Sequence, residues 1–105
     1  TYKKEYNKAI SLIKPNSIMI ALDESGKLCN SIEFSEKIKH WEESFSNLYF
    51  FIGGPDGHPE MLRKGANSIL SLSKMTLPHE MALLVLTEQI FRAISIQKGS
   101  KYHRE

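Results

Sequence analysis

The chain has 105 residues, of which 41% are hydrophobic and 25% are charged, a balance that fits one globular domain with its own core. The formal net charge of +2 at pH 7 is mildly basic, so charge alone neither requires nor excludes a nucleic-acid partner. The single cysteine, Cys29, excludes an internal disulfide and a cysteine-based metal site, and it favours a reducing compartment.

The first part of the chain predicts a helix, a strand and a second helix. Apolar residues at helical spacing, with lysines between them, predict an amphipathic helix over residues 2–13. The apolar run over residues 17–22 predicts a strand buried on both faces, and the polar residues 23–27 predict a turn after it. Asn30, with Glu33 three residues later, predicts a capping box at the start of the second helix. The apolar stripe of that helix comprises Phe34, Ile38, Trp41 and Phe45.

The middle of the chain predicts two more strands. Residues 48–52 are apolar and aromatic, which is typical of a buried strand, and they lead into the glycine- and proline-rich residues 53–60. A short helix over residues 59–64 follows, and residues 68–72 predict a third strand.

A long helix over residues 77–98 is predicted to follow, with Thr76 as its cap. Its stretch over residues 81–86 is apolar on every side, so one face needs a cover that a partner subunit can supply. Phe91 and Ile94 of this helix are expected in the core. The apolar stretch is far shorter than the ~20 residues of a membrane helix, and we expect no membrane span.

Strands that alternate with helices at this spacing predict an α/β fold with a parallel sheet, and no linker divides residues 1–105 into two domains. Ligands bind such sheets in the crevice outside the carboxyl ends of the strands. Gly53 opens a loop in which the backbone can approach a ligand closely, although Pro-Asp-Gly is equally typical of an ordinary turn. Residues 72–77 either bind a ligand with an adenine and a thioether or simply join a strand to a helix.

Side chains outside these loops are also candidates for chemistry. His79, in the first turn of the long helix, can donate to a phosphate, act as a base or cap the helix. Tyr102, His103 and Arg104 combine a stacking ring, an imidazole and a guanidinium, which suits single-stranded RNA, although a tail is commonly just solvated. No side chains show metal-ligand spacing, so no metal site is expected.

Glu88 and Arg92 on the long helix stand at i, i+4, which predicts an ion pair within the helix. A buried pair at this position would organise a dimer interface.

Five segments in order, LDESGK, FFIGGPDG, SLSKMTLPHE, LTEQIFRAISI and KGSKYHRE, resemble the ribosomal RNA large subunit methyltransferase H family of bacteria and plastids. This family lies within the SPOUT class of knotted methyltransferases, and the resemblance covers nearly the whole chain. It implies an α/β trefoil knot, a homodimer and S-adenosylmethionine as cofactor. The implied reaction is methylation of N3 of a pseudouridine in large-subunit (23S) ribosomal RNA, in the cytoplasm or an organelle of bacterial descent.

The resemblance also implies roles for single residues. The family's cofactor contacts match Leu22, Gly53, Leu72, Ser73, Lys74, Met75, Thr76 and Leu77. Its candidate catalytic and RNA-binding positions match His79, Tyr102, His103 and Arg104. The tail is expected to complete the partner subunit's site. The proton on N3 of the pseudouridine must leave before or during methyl transfer. We therefore hypothesise that His79 is the base and that Arg104 is a cation that stabilises the resulting anion. The alternative is that positioning of the two reactants alone suffices.

Two departures from the family pattern bear on function. Members usually carry an upstream strand, helix and strand, which are missing here, so we expect an N-terminally truncated domain. Leu83 stands where members commonly have Arg, which removes one basic group. The shortened chain leaves open a catalytically inactive module that binds RNA or protein. A SPOUT methyltransferase acting on transfer RNA is a third interpretation, which the YHRE ending disfavours.

Overall fold

The structure is a computed structural model that describes residues 7–8, 11–53, 64–99 and 101–103. The predicted helix over residues 2–13 and the predicted short helix over residues 59–64 lie mostly outside the described residues. The elements in chain order are β1 (Ser17–Leu28), α1 (Ser31–Ser44), β2 (Asn47–Ile52), β3 (Ser68–Ser71) and α2 (His79–Gln97).

The three strands form one parallel sheet in the order β2-β1-β3, which confirms the predicted α/β fold with a parallel sheet. β1 pairs with β2 along residues 17–22. The central position of β1 explains its apolar sequence, because both of its edges are paired and helices cover the sheet. The buried residues of β1 are Ile18, Ile20, Ala21 and Leu22. β2 confirms the predicted strand over residues 48–52, but all six of its residues are only half-buried, so it is less buried than predicted.

β1 continues through the predicted turn. The sequence predicts that the strand ends at Leu22, but it runs to Leu28 with a register shift against β3, where Leu22 and Lys27 both face Leu70. Gly26 permits the close approach, because a Cβ atom there would lie 2.7 Å from the backbone carbonyl carbon of Leu70. Residues 23–26 are therefore an irregularity within β1, and the predicted strand end was wrong.

α1 begins at the predicted capping box. The side chain of Asn30 accepts from the backbone N–H of Glu33, and the side chain of Glu33 accepts from the backbone N–H of Asn30, both at 2.8 Å. The two contacts satisfy N–H groups that otherwise have no intrahelical partner. The apolar face of α1 packs into the core through Phe34, Ile38 and Trp41. Phe45 is the C-cap and is half-buried.

α2 begins later than predicted. Its first residue is His79, its N-cap is Pro78, and no side chain caps it, because the Thr76 hydroxyl donates to a carboxylate of β1 instead. Leu86 and Ala93 of α2 are buried, and Ser35 of α1 donates to the Ala93 carbonyl oxygen at 3.2 Å, which fixes the two helices together.

The opposite face of α2 carries an exposed apolar stripe. Its members are Met81, Leu84, Phe91 and Ile94. Phe91 and Ile94 are 55% and 40% exposed, so the prediction that they are core residues was wrong. Their helical positions turn them away from Leu86 and Ala93. Among the described residues, no helix has the length and apolar character needed to cross a membrane.

Candidate functional site: a cleft at the strand ends

A cleft of ≈ 150 Å³ opens beside the carboxyl end of β2, where the pairing between β1 and β2 also ends. Three segments that are distant in sequence meet there: residues 22–24 of β1, residues 52–53 after β2, and the loop over residues 72–77 that precedes α2. His79 and Ala82 from the first turn of α2 complete the described lining. This is the edge of a parallel sheet at which ligands characteristically bind.

The cleft gathers almost all of the residues predicted to contact a cofactor. Those that line it are Leu22, Gly53, Leu72, Ser73, Met75, Thr76 and Leu77. Lys74 is exposed and does not line it. The structure thus brings together residues up to 55 positions apart in sequence, from Leu22 to Leu77. Their role as cofactor contacts stays a prediction.

Hydrogen bonds shape the loop over residues 72–77. The Ser71 hydroxyl donates to the Ser73 carbonyl oxygen at 2.7 Å, and the Met75 backbone N–H donates to the Ser73 hydroxyl at 2.9 Å. The Thr76 hydroxyl donates to Glu24 Oε2 at 2.6 Å, which ties the loop to β1 across the cleft. The loop therefore stands in a defined position beside the strand ends.

Sequence reasoning missed the two carboxylates in the cleft. Asp23 and Glu24 both line it, whereas the sequence analysis assigned them to a turn. Asp23 accepts hydrogen bonds from the backbone N–H of Ser25 at 3.1 Å and from the Ser25 hydroxyl. The signal that could have found them is their position directly after Leu22, a predicted cofactor contact at a strand end.

His79 is the predicted catalytic residue that the structure brings to the cleft. It is exposed and is the first residue of α2. Its imidazole is therefore available to a substrate placed at the mouth of the cleft. Arg104 lies outside the described residues, and Tyr102 and His103 do not line the cleft.

Tyr102 and His103 pack on the middle of α2, where the predicted ion pair between Glu88 and Arg92 is present with a shortest N···O distance of 2.7 Å. The Tyr102 hydroxyl donates to Glu88 Oε2 at 2.8 Å, and the Arg92 guanidinium lies 4.7 Å from the centroid of the Tyr102 ring. The Tyr102 ring also meets Phe91 edge to face, with the centroids 4.8 Å apart. We call these five residues, Glu88, Phe91, Arg92, Tyr102 and His103, the tail cluster.

The tail cluster changes the acidity of its members. Hydrogen bonds from Arg92 and then from Tyr102 lower the pKa of Glu88 below its usual 4.5. The hydrogen bond to Glu88 raises the pKa of Tyr102 above its usual 10.0. The carboxylate and the neutral phenol are therefore the forms that this arrangement favours.

Arg92 also contacts the imidazole of His103. Arg92 Nη1 lies 3.1 Å from His103 Nδ1, and because a guanidinium can only donate, Nδ1 is the acceptor of this contact. His103 Nε2 is buried and has no hydrogen-bond partner within the described part of the chain.

The helix separates the tail cluster from the cleft of the same chain. Glu88 follows His79 by nine residues, a rise of about 13.5 Å along an α-helix.

Cys29 lies between β1 and α1, outside the lining of the cleft. Burial raises the pKa of its thiol, which is typical of a structural cysteine. The described residues contain no group of three or more His, Cys, Asp or Glu side chains that could hold a metal ion.

Comparisons with known proteins show which family the chain resembles. The ribosomal RNA large subunit methyltransferase H of Prochlorococcus marinus is 47% identical over 105 residues, which covers 98% of this chain and 70% of that protein. The protein of the same name from Pseudothermotoga lettingae is 44% identical over 101 residues, covering 96% of this chain and 66% of that relative. The one from Maridesulfovibrio salexigens is 50% identical over 93 residues, covering 87% of this chain and 59% of that relative.

The chain thus spans roughly two thirds of the length of these curated relatives. The family model described as "Predicted SPOUT methyltransferase" matches residues 1–103. Because this match covers nearly every residue and the relatives share 44–50% of the aligned sequence, the chain belongs to the SPOUT methyltransferase family.

Proposed function

We propose that the chain is the catalytic domain of a ribosomal RNA methyltransferase that uses S-adenosylmethionine to methylate N3 of a pseudouridine in 23S ribosomal RNA. The observation that carries the proposal is the cleft, in which three segments from different parts of the sequence bring together the positions matched to cofactor contacts. The names of the relatives support an RNA substrate, since they are ribosomal RNA large subunit methyltransferases.

The chemistry of the cleft fits this cofactor. Leu22, Leu72 and Leu77 offer an apolar surface for an adenine ring, and Gly53 offers backbone that a ligand can approach closely. Asp23 and Glu24 offer acceptors for the ribose hydroxyls and the ammonium group, and their negative charge suits a cation. The bound cofactor would supply an electrophilic methyl group on a sulfonium.

The chain must also orient the RNA base and manage the N3 proton. His79 at the mouth of the cleft is the candidate group to accept that proton. Arg104 is the candidate to stabilise the imide anion or hold a phosphate, as a planar, permanently charged donor. Positioning of the two reactants by the cleft lowers the barrier further, whichever group takes the proton.

A homodimer is part of the proposal. The exposed apolar stripe of α2 needs a cover, and a second copy of the chain can place the same stripe against it. In such a dimer the tail of one subunit can serve the cleft of its partner. This arrangement would bring a tail to the His79 end of the cleft, from which the tail cluster of the same chain is separated along α2.

A second candidate function is an RNA- or protein-binding module without catalysis. The observation that favours it is the tail cluster, in which the Tyr102 ring and the Arg92 guanidinium, groups suited to contact with RNA, lie outside the lining of the cleft. A module of this kind has no need to bind a cofactor, so cofactor affinity separates the two candidates.

Two measurements test the proposal. Isothermal titration calorimetry of the chain with S-adenosylmethionine should give one site per chain with micromolar affinity, while the matched variant Gly53→Val should not bind. Incubation with radiolabelled cofactor and large ribosomal subunits from cells that lack this methylation should then label 23S ribosomal RNA. Cofactor binding without labelling would favour the binding module, and no cofactor binding would refute the proposed enzyme.

A further inference from the structure

The charge of the cleft has one sign. Its described lining contains the two carboxylates of Asp23 and Glu24 and contains no lysine or arginine. Lys74, in the loop that forms one wall, is exposed and does not line the cleft. The charged side chains of the described lining therefore favour a cationic ligand.

Glu24 is the carboxylate whose position the structure fixes across the cleft. Its Oε2 atom accepts the Thr76 hydroxyl at 2.6 Å, so the side chain is held between β1 and the loop over residues 72–77. Its hydrogen-bond partner among the described residues is a neutral hydroxyl, which orients the carboxylate without cancelling its charge. The geometry leaves this charge available to the ligand.

We infer that Glu24 is a specificity-determining residue that makes the cleft favour the cationic methyl donor over the neutral product of transfer. This inference rests on the proposed function. In the transfer, the bond from the methyl carbon to sulfur breaks and its electron pair stays on sulfur. A bond forms from the methyl carbon to N3, and the N3 proton goes to a base. The sulfur ligand thus changes from a sulfonium to an uncharged thioether, while its other groups stay the same.

The loss of this positive charge removes an attraction to Glu24, so the product leaves more readily than the donor. For two unit charges about 6 to 8 Å apart, at an effective dielectric constant between those of a protein surface and of water, Coulomb's law gives a preference of about three- to tenfold. Salt screens such an attraction, so the preference should fall as ionic strength rises.

The test separates the charge of Glu24 from its tether to the loop. Glu24→Gln removes the charge, but its amide oxygen can still accept the Thr76 hydroxyl. Thr76→Val removes the tether and keeps the charge. Glu42→Gln removes an exposed carboxylate from α1, outside the lining of the cleft, and is the matched control for net charge.

Calorimetry with S-adenosylmethionine and with S-adenosylhomocysteine, at low and at high salt, gives the readout. The expected result is that Glu24→Gln lowers the ratio of the two affinities by about three- to tenfold at low salt. Glu42→Gln should leave the ratio unchanged, and Thr76→Val should weaken both ligands by a similar factor. An equal ratio in the unsubstituted protein and Glu24→Gln would overturn the inference. Failure of both ligands to bind the unsubstituted protein would refute the proposed function itself.

Discussion

The Tyr102 hydroxyl donates to Glu88 Oε2 at 2.8 Å, the same carboxylate oxygen that accepts from Arg92 Nη2 at 2.7 Å. Arg92 Nε donates to the same oxygen at 3.1 Å, so three donors from two residues converge on it, and the chain after α2 returns to contact the middle of that helix. Gln89 extends the arrangement, because its amide donates to Glu88 Oε1 at 2.7 Å and its carbonyl oxygen accepts the Ser31 hydroxyl at 2.7 Å. The position of the tail is therefore connected to the first turn of α1.

Tyr102→Phe should loosen the tail without unfolding the chain. The substitution removes the hydrogen bond to Glu88 and keeps the edge-to-face contact with Phe91. The tail cluster is at the surface, so the melting temperature should change by less than about 2 °C. Backbone NMR relaxation of residues 101–103 should show greater mobility on the fast timescale than in the unsubstituted protein. Unchanged order parameters would show that the hydrogen bond does not hold the tail.

Docking of the tail should depend on pH at both extremes. The hydrogen bonds of Glu88 lower its pKa. The stabilisation of the docked tail by the Glu88 carboxylate is therefore complete above pH 4.5 and is lost as pH falls through the lowered pKa. The hydrogen bond to Glu88 raises the pKa of Tyr102. The stabilisation of the docked tail by the neutral Tyr102 phenol is therefore complete below pH 10.0 and is lost as pH rises through the raised pKa. Difference absorbance of the phenolate between the unsubstituted protein and Tyr102→Phe should place the Tyr102 titration above pH 10.0. A midpoint below that value would contradict the contact.

Gly26→Ala should destabilise the fold. A Cβ atom at Gly26 would lie 2.7 to 2.8 Å from backbone atoms of Leu70 and Ile69, and backbone cannot move aside as a flexible side chain can. Forcing the strands apart should cost about 1 to 3 kcal/mol in the free energy of unfolding, measured by chemical denaturation. Gly99→Asn is the matched control, because Gly99 has a φ of 71° and open space around it, a conformation that Asn tolerates. Equal stability of Gly26→Ala and the unsubstituted protein would contradict the close approach.

The features predicted correctly from the sequence depend on neighbours in sequence. The capping box of Asn30 and Glu33 involves residues three apart, and the ion pair of Glu88 and Arg92 involves residues one helical turn apart. The burial of Ile18 and of residues 20–22 follows from their apolar run, which made the central strand recognisable. Patterns of this kind need no knowledge of the tertiary fold.

The features that were mispredicted depend on residues far apart. Thr76 has the side chain of a helix cap, but its hydroxyl is taken by Glu24, which is 52 positions away in sequence. The continuation of β1 beyond Leu22 requires a second pairing with β3, which no local pattern reports. Phe91 is apolar like a core residue, yet the side of α2 that is covered depends on where α1 packs.

The exposed stripe of α2 predicts where two chains meet. Leu84 is 64% exposed on that stripe, so Leu84→Asp would place a charge at the centre of an apolar interface and should convert a dimer to a monomer at micromolar concentration. Leu12 is 69% exposed elsewhere, and Leu12→Asp should leave the dimer intact. Analytical ultracentrifugation of the three proteins measures the mass. A monomeric unsubstituted protein, or a dimeric Leu84→Asp, would exclude this stripe as the interface.

The tail of one subunit is expected to act on the cleft of its partner. Gly53→Val should abolish cofactor binding, because a branched side chain would fill space beside the ligand and restrict the loop. Deletion of residues 102–105 should preserve cofactor binding, since Tyr102 and His103 do not line the cleft. It should preserve dimer formation, since it removes the contact of the Tyr102 ring with Phe91 but leaves the apolar side chains of the stripe in place. It should abolish methyl transfer to 23S ribosomal RNA. Neither variant alone should methylate RNA.

A mixture of the two variants distinguishes action within a subunit from action across the interface. A heterodimer contains one intact cleft, on the subunit without a tail, and one intact tail, on the subunit with the blocked cleft. If the tail serves the partner's cleft, that pair forms one complete site, and random exchange of subunits should restore about a quarter of the full activity. If the tail serves its own cleft, every site in the mixture lacks one component. No recovered methyl transfer, in a mixture whose heterodimers are demonstrated by native mass spectrometry, would therefore exclude action across the interface.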